Sequence, residues 1–483
     1  MLDSTKCCVV LGMFFTLPAL CGCGGVNSAS TTPPPPAVHN EWTWVGGSQT
    51  ADQPGIYGTK GAPSASNSPG SRVLACSWTD LSGDFWLFGG YGFASTSAMG
   101  DFNDLWEYSN GQWAWMGGSS GTEQAGVYGT LGTSAPANFP GARWQSTCWT
   151  DSQGNFWLYG GLGIDSTGAR GNLGDLWRYS NGEWTWMSGS NIAAQPGITG
   201  AWQGAAVYGT EGVAAPGNTP GMRQLASGWS DPSGNLWLFG GTGAIPNGTY
   251  GEIVLQNDLW KYSNGMWTWT AGSSQGDQYG IYGALGIPAP ANTPGERSGA
   301  AAWTDSSGNL WLFGGLGVGA STNGGCVGTP PCVINDLWKF SPSLNEWTWE
   351  GGPDEANEPG VYGTQGVAAP GNLPPPRNDA TAWTDSAGNV WLFGGVWLGE
   401  SNDLWKYSNG EWTWVSGSSQ VCQEPGAYGT LGAPSAANYP GARMGAVGWS
   451  DRSGNLWLFG GGVLDCPGYP STTKFNDLWE YTP

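Results

Sequence analysis

Three short phrases recur six times each after residue 40, and this repetition constrains the fold more than any other property of the chain. The first phrase runs from an arginine through Trp-x-Asp and a glycine turn to a second tryptophan and Gly-Gly. The second is Asn/Gly-Asp-Leu-Trp, and the third is Trp-x-Trp. Because their order is constant and the arginines lie 66 to 80 residues apart, the chain predicts six units of about 74 residues. The repeated arginines are Arg72, Arg143, Arg223, Arg297, Arg377 and Arg443.

Each unit predicts four short β-strands joined by tight turns. In the fourth unit, the small residues of 298–305 form a first strand, and an alternating Leu-Trp-Leu-Phe segment that stops at Gly-Gly forms a second. The Asn-Asp-Leu-Trp phrase begins the third strand. In most units an Asn-Gly pair, a strong hairpin signal, joins it to a fourth strand around Trp-x-Trp. No segment keeps a 3.6-residue period, so we expect almost no helix.

The phase of the repeats predicts how the two ends of the chain meet. The first Trp-x-Trp, at 42–44, precedes any first strand, and the last unit stops after its third strand, at 476–483. A strand at about 41–47 therefore completes the last blade and closes a ring that has no free sheet edges. The expected fold class is all-β: a six-bladed β-propeller with four antiparallel strands per blade.

The marks inside each unit resemble the Kelch repeat over essentially all of 41–483. In the first unit they are Gly89-Gly90 after the second strand, Tyr108 in the third strand and Trp113 in the fourth. The unit is longer than a typical Kelch blade of roughly 50 residues. The excess contains a Gly-x-Tyr-Gly-Thr motif and lies between the fourth strand and the next first strand. The sequence also resembles the propeller domain of galactose oxidase, whose family holds copper with two histidines and two tyrosines.

Charge and histidine content exclude several functions. The chain has 15 Lys and Arg against 36 Asp and Glu, a net charge of −21, which disfavours nucleic acid and anionic membrane surfaces as partners. The one histidine, His39, lies outside the repeats, so the folded region lacks a histidine ligand or general base. Copper oxidation of the galactose oxidase type is therefore excluded. We expect no cofactor, no metal site and no catalytic residue.

The N-terminus predicts export from a bacterial cell. Residues 9–20 form an apolar run that is too short for a membrane-spanning helix and typical of a signal peptide. The following Leu-Cys-Gly-Cys resembles a lipobox, which implies lipidation at Cys23 and anchoring in the cell envelope, at the outer membrane of a Gram-negative cell; plain secretion is the alternative. The expected organisation is a signal peptide at 1–22, a lipidated Pro-rich tether at 23–40 and a monomeric propeller at 41–483.

One face of the propeller is expected to bind a ligand. Propeller topology places the loops between strands two and three (2–3 loops) and those between strand four and the next strand one (4–1 loops) on the same face. The 2–3 loops vary in length, and variable loops on a rigid frame are common binding sites. Three tryptophans outside the repeated positions map to this face, where they either stack on sugar rings or anchor a protein, or merely fill gaps in the loop layer. They are Trp144, Trp202 and Trp397.

The six repeated arginines leave two alternatives. A buried arginine needs a carboxylate partner, and the aspartate of Asn/Gly-Asp-Leu-Trp is available in every unit. In the other alternative, the arginines form a cationic ring at the channel mouth and bind a carboxylate or sugar acid. The aspartates that open the first turn of each unit are expected to bond to the turn backbone, since one carboxylate per turn is too few for calcium.

The cysteines fit an exported protein. Cys76 and Cys148 lie in the first strands of adjacent units, one position out of register, so we expect free buried thiols, with an inter-blade disulfide as the alternative. Two disulfides are expected within single units, namely Cys326–Cys332 and Cys422–Cys466.

These features predict a non-enzymatic binding module of the cell envelope, with a carbohydrate or a protein bound on the 2–3/4–1 face. One alternative is a sugar epimerase or mutarotase without histidine, which would need an acid–base pair of carboxyl groups near the arginines. Another is a purely structural envelope protein.

Overall fold

The computed structural model describes residues 40–194, 204–244, 253–276, 278–320, 332–422, 425–464 and 473–483. These residues form 32 strands and no α-helix. The described part of the chain therefore contains no helix that is long and apolar enough to cross a membrane. The prediction of an all-β chain is confirmed. In chain order the strands are β1 (Glu41–Gly46), β2 (Arg72–Val73), β3 (Cys76–Thr79), β4 (Phe85–Phe88), β5 (Tyr91–Phe93), β6 (Met99–Asp101), β7 (Leu105–Ser109), β8 (Gln112–Gly117), β9 (Arg143–Trp144), β10 (Thr147–Thr150), β11 (Phe156–Ile164), β12 (Arg170–Ser180), β13 (Glu183–Ser188), β14 (Arg223–Gln224), β15 (Ser227–Ser230), β16 (Leu236–Ala244), β17 (Ile253–Ser263), β18 (Met266–Ala271), β19 (Arg297–Ser298), β20 (Ala301–Thr304), β21 (Leu310–Gly317), β22 (Val333–Ser341), β23 (Glu346–Gly351), β24 (Thr381–Thr384), β25 (Val390–Phe393), β26 (Leu404–Ser408), β27 (Glu411–Ser416), β28 (Val447–Ser450), β29 (Leu456–Phe459), β30 (Gly462–Val463), β31 (Thr473–Lys474) and β32 (Leu478–Thr482).

The described strands build six antiparallel sheets with four main strands each, one per sequence unit. We call these sheets blades 1 to 6, and number the main strands of each from one to four in hydrogen-bonding order. Blade 1 is β3-β4-β7-β8, blade 2 is β10-β11-β12-β13, blade 3 is β15-β16-β17-β18, blade 4 is β20-β21-β22-β23, blade 5 is β24-β25-β26-β27 and blade 6 is β28-β29-β32-β1.

The ends of the chain meet in blade 6, as the repeat phase predicts. β1 pairs antiparallel with β32, so that Thr43 lies opposite Glu480. The first strands of successive blades contact one another, and β28 of blade 6 contacts β3 of blade 1. The fold is therefore a β-propeller whose first strands surround a central channel.

Tryptophans fill the contacts between blades. In blade 1, Trp78 of strand one is 2% exposed and stacks on Phe156 of blade 2, with ring centroids 5.2 Å apart. Its indole Nε1 donates to the carbonyl of Trp157, also in blade 2. Equivalent indole bonds join blade 2 to blade 3, blade 3 to blade 4, blade 5 to blade 6 and blade 6 back to blade 1. These repeated tryptophans are part of the scaffold, as the sequence predicts.

The extra length of each unit covers the outer edge of a blade. In blade 1, the amide of Gly61 donates to the carbonyl of Trp115 on the fourth strand (2.8 Å), and the Asn67 side chain donates to the carbonyl of Trp113 (3.0 Å). The same glycine bond recurs in all six blades. A segment bonded to the outer strand leaves fewer free backbone groups for pairing with another chain.

Candidate functional site

The six repeated arginines lie beneath the 2–3/4–1 face, and each is paired with an aspartate. In blade 2, Arg143 donates from Nη1 and Nη2 to the two carboxylate oxygens of Asp175, at 2.7 and 2.8 Å. Its Nε donates to the carbonyl of Gly141, and Nη1 also donates to Gly160. All six arginine side chains are 0–2% exposed and all six aspartates 0%. The pairs are Arg72–Asp104, Arg143–Asp175, Arg223–Asp258, Arg297–Asp336, Arg377–Asp403 and Arg443–Asp477.

Each aspartate also accepts two further hydrogen bonds. Asp175 accepts from the hydroxyl of Tyr128, in the Gly-x-Tyr-Gly-Thr motif, and from the indole of Trp177. Burial alone raises the pKa of Asp175, but the charge and hydrogen bonds of Arg143 and the two aromatic donors outweigh it, so the pKa is lowered. Burial beside the same carboxylate raises the pKa of Tyr128.

The ion-pair alternative is therefore the one that the structure contains. A ligand carboxylate would have to displace a buried aspartate whose oxygens already accept four hydrogen bonds. Breaking such a buried pair costs about 3–5 kcal/mol. The expectation that Arg72, Arg143, Arg223, Arg297, Arg377 and Arg443 form a ligand-binding cationic ring is corrected: their side chains hold each 4–1 segment to its blade.

A closed ring of residues around the channel, which we call the throat, is formed by the residue two positions after each arginine. All six residues have left-handed backbones, with φ between 53° and 65°. Each amide donates to the carbonyl of the throat residue of the preceding blade at 2.8–3.1 Å, and the amide of Leu74 donates to Gly445, which closes the cycle. The throat residues are Leu74, Gln145, Leu225, Gly299, Asp379 and Gly445.

The throat leads into a cavity of about 160 Å³, which otherwise is lined by alanines and Ser146. Asp379 is the one throat residue with a charge, and Gln145 lies opposite it, because blades 2 and 5 face each other in a six-membered ring. Asn378 Nδ2 donates to Asp379 Oδ2 at 2.9 Å. Burial raises the pKa of Asp379 to about 7. The buried Oε1 of Gln145 accepts no hydrogen bond within the described part of the chain.

Above the throat, the residue directly after each arginine forms a second ring, which we call the mouth. Each of these residues pairs with the 2–3 segment of its own blade, which places the mouth on the 2–3/4–1 face. The six blades all differ here, although the arginine beneath is constant. The mouth residues are Val73, Trp144, Gln224, Ser298, Asn378 and Met444.

Trp144 is the predicted site residue that the structure places at the mouth. It is half-buried and packs on Tyr91 of blade 1, with ring centroids 5.2 Å apart. Its buried indole Nε1 has no hydrogen-bond partner among the described residues, and neither has the buried Oε1 of Gln224 beside it in the ring. Lys474 of blade 6 lies 5.0 Å from the Tyr91 ring centroid. Trp144 and Tyr91 therefore form an aromatic pair at the mouth, with Lys474 beside Tyr91 and Gln224 on the next blade.

Trp397, the second predicted tryptophan, is not one of the mouth residues. Trp397 lies in the 2–3 segment of blade 5, half-buried, and donates its indole N–H to Asn357 Oδ1 at 3.2 Å. This bond favours the alternative in which Trp397 fills a gap in the loop layer. Trp202 and the lipidation candidate Cys23 lie outside the described residues.

Cys76 and Cys148 form a disulfide between blades 1 and 2, with Cα atoms 5.9 Å apart. The expectation of free thiols is wrong, because β3 and β10 lie directly against each other and their small offset does not separate the two side chains. Cys332 and Cys422 are each in a disulfide. Their expected partners, Cys326 and Cys466, lie outside the described residues, so the pairings Cys326–Cys332 and Cys422–Cys466 stay predictions.

The first-turn aspartates bond to their turns, as predicted. Asp151 Oδ1 accepts from the amides of Gln153 and Asn155. Asp80 of blade 1 bonds to its turn in the same way, and in addition Asp80, Asp84 and Glu107 bring three carboxylate groups within 4.8 Å of one another. Sequence reasoning took each turn singly and missed this cluster, which also needs a residue of strand three.

A cavity of about 490 Å³ lies at the outer junction of blades 6 and 1, lined by Trp44, Tyr108 and Trp113 among others. Grooves of about 370 and 190 Å³ occupy the corresponding junctions of blades 2 and 3 and of blades 4 and 5. Because the groove recurs with the repeat, it follows from blade geometry. The mouth and throat, where the blades differ, are the stronger candidate site.

Comparison with known proteins finds similar folds among solved structures. A solved structure titled "Structure of YjhT" superposes with a TM-score of 0.47 and 13% sequence identity, covering 87% of this chain and 95% of its own. No protein-family model and no curated protein sequence matches. The β-propeller fold is established by the sheet pairing, and membership of the Kelch family stays a prediction.

Proposed function

We propose that this protein is a non-enzymatic binding module of the bacterial cell envelope that binds a carbohydrate at the mouth of its channel. The observation behind the proposal is the contrast between the arginine ring and the mouth ring. The arginine ring is the same in six blades, whereas the mouth ring directly above it differs in every blade. Variation on an otherwise repeated, rigid frame marks a surface fitted to a ligand.

The chemistry of the mouth favours a carbohydrate over a protein. Trp144 and Tyr91 provide a half-buried aromatic surface of the kind on which the apolar face of a sugar ring packs. Gln224 and Asn378, both half-buried, lie further along the ring and carry amide groups, which pair with sugar hydroxyls. A protein partner is the second candidate.

Binding is also favoured over catalysis. An epimerase or mutarotase needs both an acid and a base at the reacting carbon. The throat and mouth residues contain a single carboxyl group, that of Asp379. The expected attachment through Cys23 would hold the mouth near the cell surface, where polysaccharides are the abundant ligands.

A glycan array tests the proposal on the purified protein, with Trp144→Ala and Trp397→Ala as a matched pair. Both variants remove a half-buried indole, but only the first lies at the mouth. We expect wild type and the Trp397 variant to bind the same saccharide, and the Trp144 variant to lose at least tenfold in affinity. If only the Trp397 variant loses saccharide binding, the binding site lies in the outer loops and not at the mouth. Absence of any saccharide binding would reject the carbohydrate and leave the protein partner.

A further inference from the structure

The throat offers a ligand only its side chains. Its six backbone amides and carbonyls already bond to one another in the closed cycle, so none of these amide N–H groups is free to point into the channel. Leu74, Leu225, Gly299 and Gly445 contribute no polar side-chain atoms. The polar atoms available are therefore those of Asp379 and of Gln145 on the opposite side.

Asp379 has no cationic partner in the described part of the chain. Its side chain accepts one hydrogen bond from another side chain, that of Asn378. No other residue of the throat ionises, nor does any residue of the layer below it, Ala75, Ser146, Ala226, Ala300, Ala380 and Ala446. The six arginines beneath the mouth are each paired with their own aspartate.

Both polar groups of the throat present acceptors. Asp379 supplies carboxylate oxygens and Gln145 supplies an amide oxygen without a hydrogen bond in the described structure. An unsatisfied buried acceptor costs about 1–3 kcal/mol, and a counter-charge stabilises the ionised form of a half-buried carboxyl group such as that of Asp379. A group that brings both a positive charge and several N–H donors would satisfy the two at once.

The cavity has room for a small charged group. The cavity of about 160 Å³ has the volume of about five waters, each occupying roughly 30 Å³ in the liquid. An ammonium group is a compact charge with three donors and fits such a space. Calcium fits less well, because it takes six to eight oxygen ligands.

We propose that the throat binds a primary ammonium group of the ligand, held by Asp379 and Gln145 on opposite sides of the channel. This inference deepens the proposed function and rests on its placement of the ligand at the mouth. The ammonium belongs either to an amino sugar or to a lysine side chain that enters from the mouth. The net charge of −21 favours the approach of a cation.

Calorimetric titration of the purified protein with three probes tests this inference. The probes are glucosamine, the lysine analogue Nα-acetyl-lysine amide, and neutral N-acetylglucosamine as the control. We expect an ammonium probe to bind the wild type, glucosamine at pH 7, where most of its amine is protonated, and the lysine analogue at pH 8. Asp379→Asn, which keeps the shape and removes the charge, should weaken that binding at least tenfold. Gln145→Met, on the opposite wall, should weaken it severalfold. N-acetylglucosamine binding should be unchanged in the Asp379 variant.

A pH series separates charge pairing from shape. The burial of Asp379 raises its pKa to about 7, so its carboxylate forms mainly above that pH. The lysine analogue stays protonated to above pH 9. Its affinity should therefore rise between pH 5 and pH 8 in the wild type and stay constant in Asp379→Asn.

The outcomes separate this inference from the proposed function. One outcome is that glucosamine and N-acetylglucosamine bind equally, with affinities that depend on Trp144 and not on Asp379. In that case the carbohydrate site stands and the ammonium site is rejected. If no ammonium probe binds the wild type under these conditions, the ammonium site is rejected as well. If the lysine analogue alone binds, and needs Asp379, the throat site stands and the carbohydrate proposal falls.

Discussion

The carbonyl of Trp44, at the start of the folded chain, accepts a hydrogen bond of 2.8 Å from the amide of Gly432 in the last unit. In blades 1 to 5 the equivalent carbonyl belongs to a fourth strand that follows directly after the third strand of the same blade in the sequence. The N-terminal strand therefore takes the place of a fourth strand from the other end of the chain. Its pairing with β32 joins the two ends of the ring.

Breaking this junction should destabilise the whole propeller. Because the carbonyls of Trp42 and Trp44 face the 4–1 segment, the backbone of Thr43 faces β32. Thr43→Pro removes a ladder donor and should lower the free energy of unfolding by about 3 kcal/mol, measured by urea denaturation. Gln49→Pro, at an exposed position in the next loop, is the control and should change it little. Equal effects of the two prolines would contradict a closing role for β1.

The Cys76–Cys148 disulfide gives a second prediction. It links blades 1 and 2 across a sequence separation of 72 residues. Replacing both cysteines by alanine should cost about 2–4 kcal/mol in the free energy of unfolding, since the cross-link restricts the unfolded chain. Mass spectrometry after alkylation without reductant checks the bond directly. Alkylation of both residues in the denatured wild type would show that the bond is absent.

Local signals in the sequence predict most of this fold, because period-two alternation and Asn-Gly turns act within a few residues. The first strand of each blade is where prediction and structure differ. In blade 4, the segment 298–305 was expected to be one strand, but β20 covers only Ala301–Thr304. Gly299 adopts φ 65° to join the throat ring, which ends β19 at Ser298. The left-handed backbone at this position is required by the hydrogen bonds to the neighbouring blades, so the local sequence carries no signal for it.

The candidate site was only partly predictable for the same reason. Trp144 stands out in the sequence because it breaks the repeat. Asp379 and Gln145 occupy a position that already varies among leucine, glycine and other residues when the six arginine phrases are aligned. Their opposition across the channel depends on the ring, since they come from blades 5 and 2.

The acidic cluster of blade 1 predicts a stabilising substitution. In blades 2 to 6, an asparagine side chain donates to the first-turn aspartate, as Asn155 does to Asp151 at 2.8 Å. In blade 1, Asp84 takes this place, and burial and the charges of Asp84 and Asp80 raise the pKa of Glu107. Asp84→Asn should therefore raise the free energy of unfolding by about 0.5–1 kcal/mol at pH 7. The reciprocal control, Asn155→Asp, should lower it by a similar amount, and the same sign for both would refute the argument.

Replacement of Gln256 should raise the free energy of unfolding more than Asp84→Asn does. It is 1% exposed, and neither amide atom has a hydrogen-bond partner in the described part of the chain. Leu173 and Ile334 hold the equivalent positions in blades 2 and 4, both 0% exposed. Gln256→Leu should stabilise the protein by about 1–2 kcal/mol in thermal or urea unfolding, because it removes two buried unsatisfied groups. Leu173→Gln is the reciprocal control and should destabilise. A neutral or harmful Gln256→Leu would indicate a buried water that bonds to the amide.

Asp379 predicts a stability change with a definite pH dependence. Burial raises the pKa of Asp379 to about 7 in the folded protein, against 3.8 for an ordinary aspartate. The folded state therefore holds this proton more tightly than the unfolded state, so the contribution of Asp379 to stability is present below pH 4 and is lost as the pH rises to 7. About 1.4 kcal/mol per unit sets an upper limit of about 4 kcal/mol for that loss, and solvent in the channel lowers it. Asp379→Asn should thus be more stable than wild type at pH 8 and similar to it at pH 4, by urea denaturation at both values. A difference between the two proteins that does not change with pH would show that Asp379 titrates normally.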